Sequence, residues 1–114
     1  MDNNQAAFLA GKTFCFLSTQ PGLHWIVDSG AIDHITPHLH LFHSYSTVSK
    51  PCFIIMPNGK QVQVNHIGSV ILNANITLQE VLHVLEFQYN LLSASKLAKQ
   101  LSVDVVFSTS MCYL

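Results

Sequence analysis

The sequence predicts an all-β fold class, mainly β with one short C-terminal helix. Short apolar or alternating runs recur along the chain, and turn-forming residues separate them. The strongest turn is Pro57-Asn58-Gly59-Lys60, because an Asn-Gly pair tolerates the positive φ angles of a tight hairpin. Only the stretch that begins at Ser93 has the apolar spacing of a convincing helix. We therefore expect one small β domain built from short strands.

Length and composition limit the class of protein. The chain has 114 residues, of which 49% are hydrophobic and 10% charged, which suits one domain with a filled core. A surface with so few charges indicates that a partner or further chain covers part of it. The net charge is −1 and the five basic residues are all lysines, so the chain lacks a basic stripe and an arginine fork. We expect no direct binding of nucleic acid.

The sequence also predicts an intracellular protein without membrane contact. No apolar run approaches the ~18 residues that span a bilayer. The N-terminus lacks the basic region of a signal peptide. The three cysteines, Cys15, Cys52 and Cys112, show no CxxC spacing, and we expect them to be reduced and mostly buried.

The elements follow one another with clear turn signals. Residues 1–22 form a lead-in, either a short edge strand or a linker, and the domain is expected over residues 23–114. Residues 36–51, rich in His, Ser, Thr and Pro, indicate a loop, and residues 66–68 indicate a bend or bulge. Strands are predicted at residues 24–28, 53–56, 61–65, 70–72, 81–85 and 102–107.

The predicted helix begins after Ser93, whose hydroxyl is the expected N-cap. Ala94, Leu97, Ala98 and Leu101 follow at spacings of three and four residues. This stripe is typical of ordinary core packing against the sheet.

The candidate active site is Asp28-Ser29-Gly30-Ala31, directly after the apolar run Trp25-Ile26-Val27. An apolar strand that ends in this tetrapeptide carries the carboxylate of Asp28 into a dry site. The Ser29 hydroxyl can hydrogen-bond within the turn, and Gly30 lets a second backbone approach closely. Taken alone, the tetrapeptide also fits an ordinary turn in which Asp28 binds backbone amides.

Further segments follow this tetrapeptide in a recognisable order, from about residue 24 to the C-terminus. They are residues 25–31, 33–36, 57–60, 67–70, 81–84 and 90–97. As an ordered set, they resemble the retropepsin-like aspartic protease region of a copia-type LTR retrotransposon Gag-Pol polyprotein. No single segment is as specific as the order and spacing of all of them.

The resemblance implies a closed β-barrel in which two copies form one active site. Each copy of the homodimer would supply one Asp28, and the two carboxylates would share a proton. The ionised Asp28 would act as general base on a water molecule, while the protonated one polarises the scissile carbonyl. Ser29 and Gly30 would brace the carboxylates. The hairpin at Pro57, Asn58, Gly59 and Lys60 would be the flap that closes over an extended polypeptide substrate.

The resemblance implies no cofactor and no metal ion. It also implies a location in the cytoplasm or within virus-like particles, with the polyprotein itself as substrate.

Several positions depart from the family pattern. Ile32 stands where the family usually has Thr, and Leu85-Glu86 replaces a common Val-Pro pair. The arginines that tie retroviral dimers together are absent. These departures support an alternative, in which the domain is a catalytically inactive or domesticated β-barrel that binds peptide or self-associates.

A cluster of histidines provides a third hypothesis. His34, His38, His40 and His43 fall within ten residues, and zinc accepts such ligands. However, Pro37 interrupts the spacing and no Cys or carboxylate completes a set. We expect loop histidines with local hydrogen bonds, which would make stability or activity sensitive to pH between roughly 5 and 7. Asp33 is expected to face solvent or cap the loop.

Overall fold

The apolar run that ends in Asp28 is strand β2 (Leu23–Asp28), which lies inside a seven-stranded sheet. The structure, a computed structural model, describes residues 14–20, 23–56, 58–102, 106–107 and 112–113. Both faces of β2 are covered, because Trp25, Ile26 and Val27 are all buried. A strand covered on both faces has a continuous apolar run instead of an alternating one.

The other described strands are short. They are β1 (Phe14–Gln20), β3 (Ile35–Thr36), β4 (Phe42–Thr47), β5 (Phe53–Ile55), β6 (Gln61–Gln63), β7 (His66–Asn73), β8 (Ile76–His83), β9 (Asn90–Ser93), β10 (Val106–Phe107) and β11 (Cys112–Tyr113). A 3-10 helix covers Leu39–Leu41 and helix α1 covers Ala94–Leu101. The predicted N-cap is confirmed, since the Ser93 hydroxyl accepts a hydrogen bond from the backbone N–H of Lys96.

The main sheet is mixed and has the strand order β1-β2-β9-β3-β8-β7-β4. Strand β2 runs parallel to β9 and antiparallel to β1, and β3 runs parallel to β8. The mainly β class with one short helix is therefore confirmed. Within the described ranges β1 and β4 form two separate edges, so the closure of a retropepsin-like barrel stays a prediction.

One layer lies on each face of the sheet. On one face, helix α1 contributes to a core cluster through Ala94 and Leu97, while Leu101 packs beside it. This confirms the predicted packing stripe. On the other face, the hairpin of β5 and β6 covers a second cluster, to which it contributes Ile54 and Val62. Strand β2 supplies residues to both clusters, so Asp28 lies at the end of the strand that the two layers enclose.

The prediction of a loop over residues 36–51 was wrong for its central part. Residues Phe42–Thr47 form strand β4, which pairs antiparallel with β7. Five of its six residues are exposed, so the segment shows no alternation of buried and exposed side chains. Backbone pairing with β7 creates this strand, and an apolar pattern cannot signal it.

The other boundaries differ by a few residues. The bend expected at residues 66–68 occurs as a register shift between Gly68 and Val70, within a continuous β7. Strand β8 extends over Ile76–His83 and contains Glu80 at a φ of 53°. Of the lead-in, Phe14–Gln20 forms an edge strand. Of the predicted last strand, residues 103–105 lie outside the described residues.

Replacing Gly68 with alanine should destabilise the sheet strongly. An added Cβ would collide with the backbone carbonyl oxygen of Ser44 and lie 2.6 Å from the Cα of Tyr45, both on β4. We expect the free energy of unfolding to fall by about 2–3 kcal/mol. Urea denaturation followed by the fluorescence of Trp25, the single and fully buried tryptophan, measures this.

Gly59→Ala is the matched control. Its Cβ would enter open space, but its φ of 86° is unfavourable for alanine, and a loss of about 1 kcal/mol is expected. If Gly68→Ala lowered the free energy of unfolding by less than Gly59→Ala does, this result would contradict the close contact between β4 and β7 at Gly68.

Candidate functional site

Asp28 is the last residue of β2, and its side chain is buried with 4% of its surface exposed. One carboxylate oxygen, Oδ1, accepts a hydrogen bond from the backbone N–H of Gly30 at 2.8 Å. Ser29 and Gly30 themselves are exposed. Asp28 is thus buried at the end of the strand, while the two residues that follow it form an exposed turn.

Ser93 fixes this turn from the neighbouring strand. It pairs with Asp28 in the parallel register of β2 and β9. Its hydroxyl donates a hydrogen bond to the carbonyl oxygen of Ala31 at 2.7 Å and accepts one from the N–H of Lys96 at 3.1 Å. The same side chain thus caps α1 and holds the loop that follows Asp28.

His34 holds the far end of the loop. Its side chain is completely buried, and its Nδ1 accepts a hydrogen bond from the backbone N–H of Ser93 at 2.9 Å. Burial, and to a lesser extent the nearby Lys96 ammonium, lower the pKa of His34 from 6.5 to about 4. The sequence predicted loop histidines with local hydrogen bonds; His34 instead bonds to Ser93 of β9, which is distant in the sequence.

Lys96 links the loop to the sheet. Its Nζ lies 3.6 Å from Oδ1 of Asp33 and donates a hydrogen bond to the carbonyl oxygen of Glu80 at 3.1 Å. The Asp33 side chain is more than one-third exposed. Asp33 is therefore a surface partner of α1 beside the loop, unlike the buried Asp28.

A second polar network anchors the strands below the loop. Thr36 donates from Oγ1 to Oδ1 of Asn90 at 2.6 Å, and the Asn90 amide donates to the carbonyl oxygen of His24 at 3.0 Å. These bonds join β3, β9 and β2 across the sheet interior. Since buried polar groups are costly without partners, they favour one register of the three strands.

The predicted flap residues lie at the tip of the β5–β6 hairpin. Backbone bonds join the N–H of Met56 to the carbonyl of Lys60 and the N–H of Gly59 to the carbonyl of Met56, both at 2.8 Å. The Asn58 side chain accepts from the N–H of Lys60 at 2.9 Å, and Gly59 has a φ of 86°. The predicted tight turn is confirmed for Asn58, Gly59 and Lys60. Pro57 lies outside the described residues.

The hairpin tip contacts the segment that follows β8. Lys60 Nζ lies 3.1 Å from Oε2 of Glu86, in an ion pair whose side chains are at least half exposed. Beside it, a cleft of about 130 Å³ is lined by Met56 and residues 86–89. An exposed ion pair of this kind contributes about 0–1 kcal/mol.

Large exposed apolar side chains lie on the Asp28 loop, on strand β5 of the hairpin and on the segment that follows β8. Ile32 in the Asp28 loop is 82% exposed, and Leu85, next to Glu86, is 65% exposed. Phe53 and Ile55 on β5 are 53% and 71% exposed. Exposed apolar side chains of this size are unusual on the surface of a monomeric domain when they lie together.

Two further histidines, on neighbouring strands, form a close pair. On β7 and β8, the Nδ1 atoms of His66 and His83 lie 2.9 Å apart. Burial, and then repulsion from His66, lower the pKa of His83. Among the residues that the structure describes, no group of three or more His, Cys, Asp or Glu side chains could hold a metal ion. In the same residues, no helix is long and apolar enough to cross a membrane.

Sequence reasoning missed the roles of His34, Thr36 and Asn90. All three residues belong to the segments that carried the resemblance, yet only their burial identifies them as parts of the site. Their signal is a polar residue within or beside an otherwise apolar run.

Comparison with known proteins gives one family match. The family model described as "Pol polyprotein, beta-barrel domain" matches residues 25–101, a range that includes the Asp28 loop, the hairpin and α1. No curated protein and no solved structure matches the chain.

The stability of the fold should fall as the pH drops from about 6.5 to about 4, because the pKa of His34 is lowered in the folded state. Above this window His34 is neutral in both states, and its contribution is fully present. Within the window only the unfolded chain binds the proton, so stability falls by up to about 1.4 kcal/mol per pH unit. Below it, both states are protonated and the loss ends.

Urea denaturation across this pH range compares the wild type with His34→Asn, which cannot titrate. The lowered pKa of His83 makes the free energy of unfolding fall with decreasing pH in both proteins. The difference between the two curves therefore gives the contribution of His34. Parallel curves would show that burial does not lower the pKa of His34.

Proposed function

Because the chain belongs to the Pol polyprotein beta-barrel domain family of retroelements, we propose that it is the retropepsin-like aspartic endopeptidase of a copia-type element. The observation that carries this proposal is the carboxylate of Asp28. It is 4% exposed at the end of an enclosed strand, on a loop that Ser93 and His34 hold in place. The burial of this carboxylate at a strand end, next to the exposed Ser29 and Gly30, supports the proposal.

A second copy of the chain completes the proposed site. Asp28 is the single buried carboxylate among the residues whose side chains the structure describes. Hydrolysis by paired carboxyl groups needs two of them close together. A symmetric homodimer would bring the two Asp28 loops together at its axis, and the exposed Ile32 in each loop suits such an interface.

The chemistry follows from two carboxyl groups that share one proton. The ionised Asp28 removes a proton from a water molecule, whose oxygen attacks the carbonyl carbon of the scissile amide. The protonated Asp28 of the second copy gives its proton to the carbonyl oxygen. The tetrahedral intermediate then collapses and the carbon–nitrogen bond breaks. The leaving amine takes the proton that the first Asp28 removed from water, and one hydroxyl of the intermediate returns a proton to the second Asp28, so that the pair again shares one proton. No covalent intermediate with the enzyme forms.

The hairpin suits an extended polypeptide substrate. Its root is fixed in the core through Ile54 and Val62, while its tip is held by the exposed pair of Lys60 and Glu86. A substrate strand under the tip can pair with its backbone, and Phe53 and Ile55 offer apolar contacts. The natural substrate under this proposal is the polyprotein, with cleavage in the cytoplasm or in virus-like particles.

One observation favours the alternative of an inactive binding module. Ile32 projects from the loop with 82% of its surface exposed, and a loop that serves only peptide binding or self-association could carry it equally well. Such a module would dimerise or bind peptide without hydrolysis.

Asp28→Asn should abolish cleavage. The amide cannot act as general base, so we expect a rate loss of at least about 10³-fold. Digestion of a peptide library, read by mass spectrometry of the new termini, measures the activity between pH 4 and 7. Asp33→Asn, the same change at a surface carboxylate of the same loop, should keep its activity.

Cleavage that survives Asp28→Asn would contradict the proposal. A folded wild-type protein that cleaves nothing would favour the inactive module.

Mixing the two proteins tests whether the site is shared. If wild-type and Asp28→Asn chains exchange freely at a 1:1 ratio, about a quarter of the dimers contain two intact carboxyl groups. The activity should then fall to about a quarter of that of wild type at the same total concentration. A fall to only about half would show that each chain acts alone.

A further inference from the structure

We propose that His34 is a positioning residue for Asp28. His34 holds the loop that follows Asp28 only while its imidazole is neutral, and its protonation therefore sets the acidic limit of cleavage. The activity part of this inference rests on the proposed function. The structural part concerns the contact between His34 and Ser93 and stands by itself.

The hydrogen bond to Ser93 determines the tautomer of His34. Since Nδ1 accepts from the backbone N–H of Ser93 at 2.9 Å, Nδ1 carries no proton. The proton of the neutral ring is therefore on Nε2, which is buried and has no hydrogen-bond partner among the described residues. A buried N–H without a partner is unfavourable, so the stabilising contact of this ring is the one that Nδ1 makes with Ser93.

Protonation would break this contact. An imidazolium carries protons on both nitrogens, so Nδ1–H would face the N–H of Ser93 with no acceptor between them. Ser93 is the residue that pairs with Asp28 and holds the carbonyl of Ala31. Loss of the bond would release the loop at its far end and shift Asp28 relative to its partner carboxylate. A small misplacement of reacting groups is enough to lower the rate substantially.

The charged groups around the loop come from three elements. Lys96 of α1 disfavours the imidazolium. Asp33, next to His34 in the chain, is neutralised in part by its pair with Lys96. Glu80 of β8 binds Lys96 through its carbonyl oxygen, and Asp28 lies at the start of the loop. Burial and Lys96 together keep His34 neutral until the medium is distinctly acidic.

The test compares two substitutions of His34 in the full chain. In His34→Asn, the carboxamide oxygen can accept from Ser93 and does not titrate. In His34→Leu, the site stays apolar but the acceptor is lost. We expect His34→Leu to lose cleavage at every pH, and His34→Asn to recover much of that loss near pH 7.

The pH profile is the decisive readout. One pH unit below the midpoint of the wild-type acidic limb, His34→Asn should retain about tenfold more of its own maximal activity than the wild type does. Trp25 fluorescence at each pH establishes that the proteins are folded. If the acidic limbs of the wild-type and His34→Asn pH profiles superimposed, the proposal would be overturned, because titration of the Asp28 pair would then set the acidic limit of cleavage. Loss of activity that coincides with unfolding would overturn it as well.

NMR separates this inference from the proposed function. The ¹⁵N shifts of His34 should show the Nε2-protonated tautomer, and the Ser93 amide signal should titrate together with His34. A protonated Nδ1 at neutral pH would refute the contact. If the contact is present and no protein cleaves, the endopeptidase proposal fails and with it the acidic limit, while the tautomer assignment stands.

Discussion

The parallel pairing of β2 with β9 is the constraint on which the rest of the structure depends. It places Asp28 beside Ser93, although the two residues lie far apart in the sequence. Ser93 is the last residue of β9 and the N-cap of α1. Its hydroxyl accepts a hydrogen bond from the N–H of Lys96 in the first turn of the helix and donates one to the carbonyl oxygen of Ala31. A single residue therefore fixes the helix start, the strand register and the shape of the loop after Asp28. A shift of this register by one residue would turn the apolar side chains of β2 to the opposite faces and separate Asp28 from Ser93.

The two layers that cover the sheet differ in how firmly they are held. Helix α1 buries Leu97 completely and is tied to the sheet by Lys96, which contacts both the loop and β8. The hairpin buries Val62 and partly buries Ile54, but its tip contacts the body through an exposed ion pair and the edge of a small cleft. Burial of apolar area stabilises far more than an exposed pair does. The helix side of the molecule is therefore the rigid support of the candidate site, and the hairpin tip is the weakly held part beside it.

Polar residues inside the sheet give the site its specificity of shape. His34, Thr36 and Asn90 are buried, and each forms a hydrogen bond that crosses from one element to another. Apolar packing alone tolerates several arrangements of similar volume, whereas a buried hydrogen bond is satisfied in only one. Among the described residues Nε2 of His34 has no hydrogen-bond partner, so this arrangement carries some cost to stability.

The sequence by itself determined the elements whose signals are local. The apolar run before Asp28, the Asn-Gly turn at the hairpin tip and the Ser93 cap with its helical stripe all depend on neighbouring residues, so one chain segment contains each signal. Only the tertiary structure decided that residues 42–47 form a strand, because that strand exists through its backbone bonds to β7 and its polar side chains carry no pattern. It alone placed His34 against Ser93 and buried both. Contacts between residues distant in the sequence depend on the register of strands, and no local pattern specifies which strand will lie beside which.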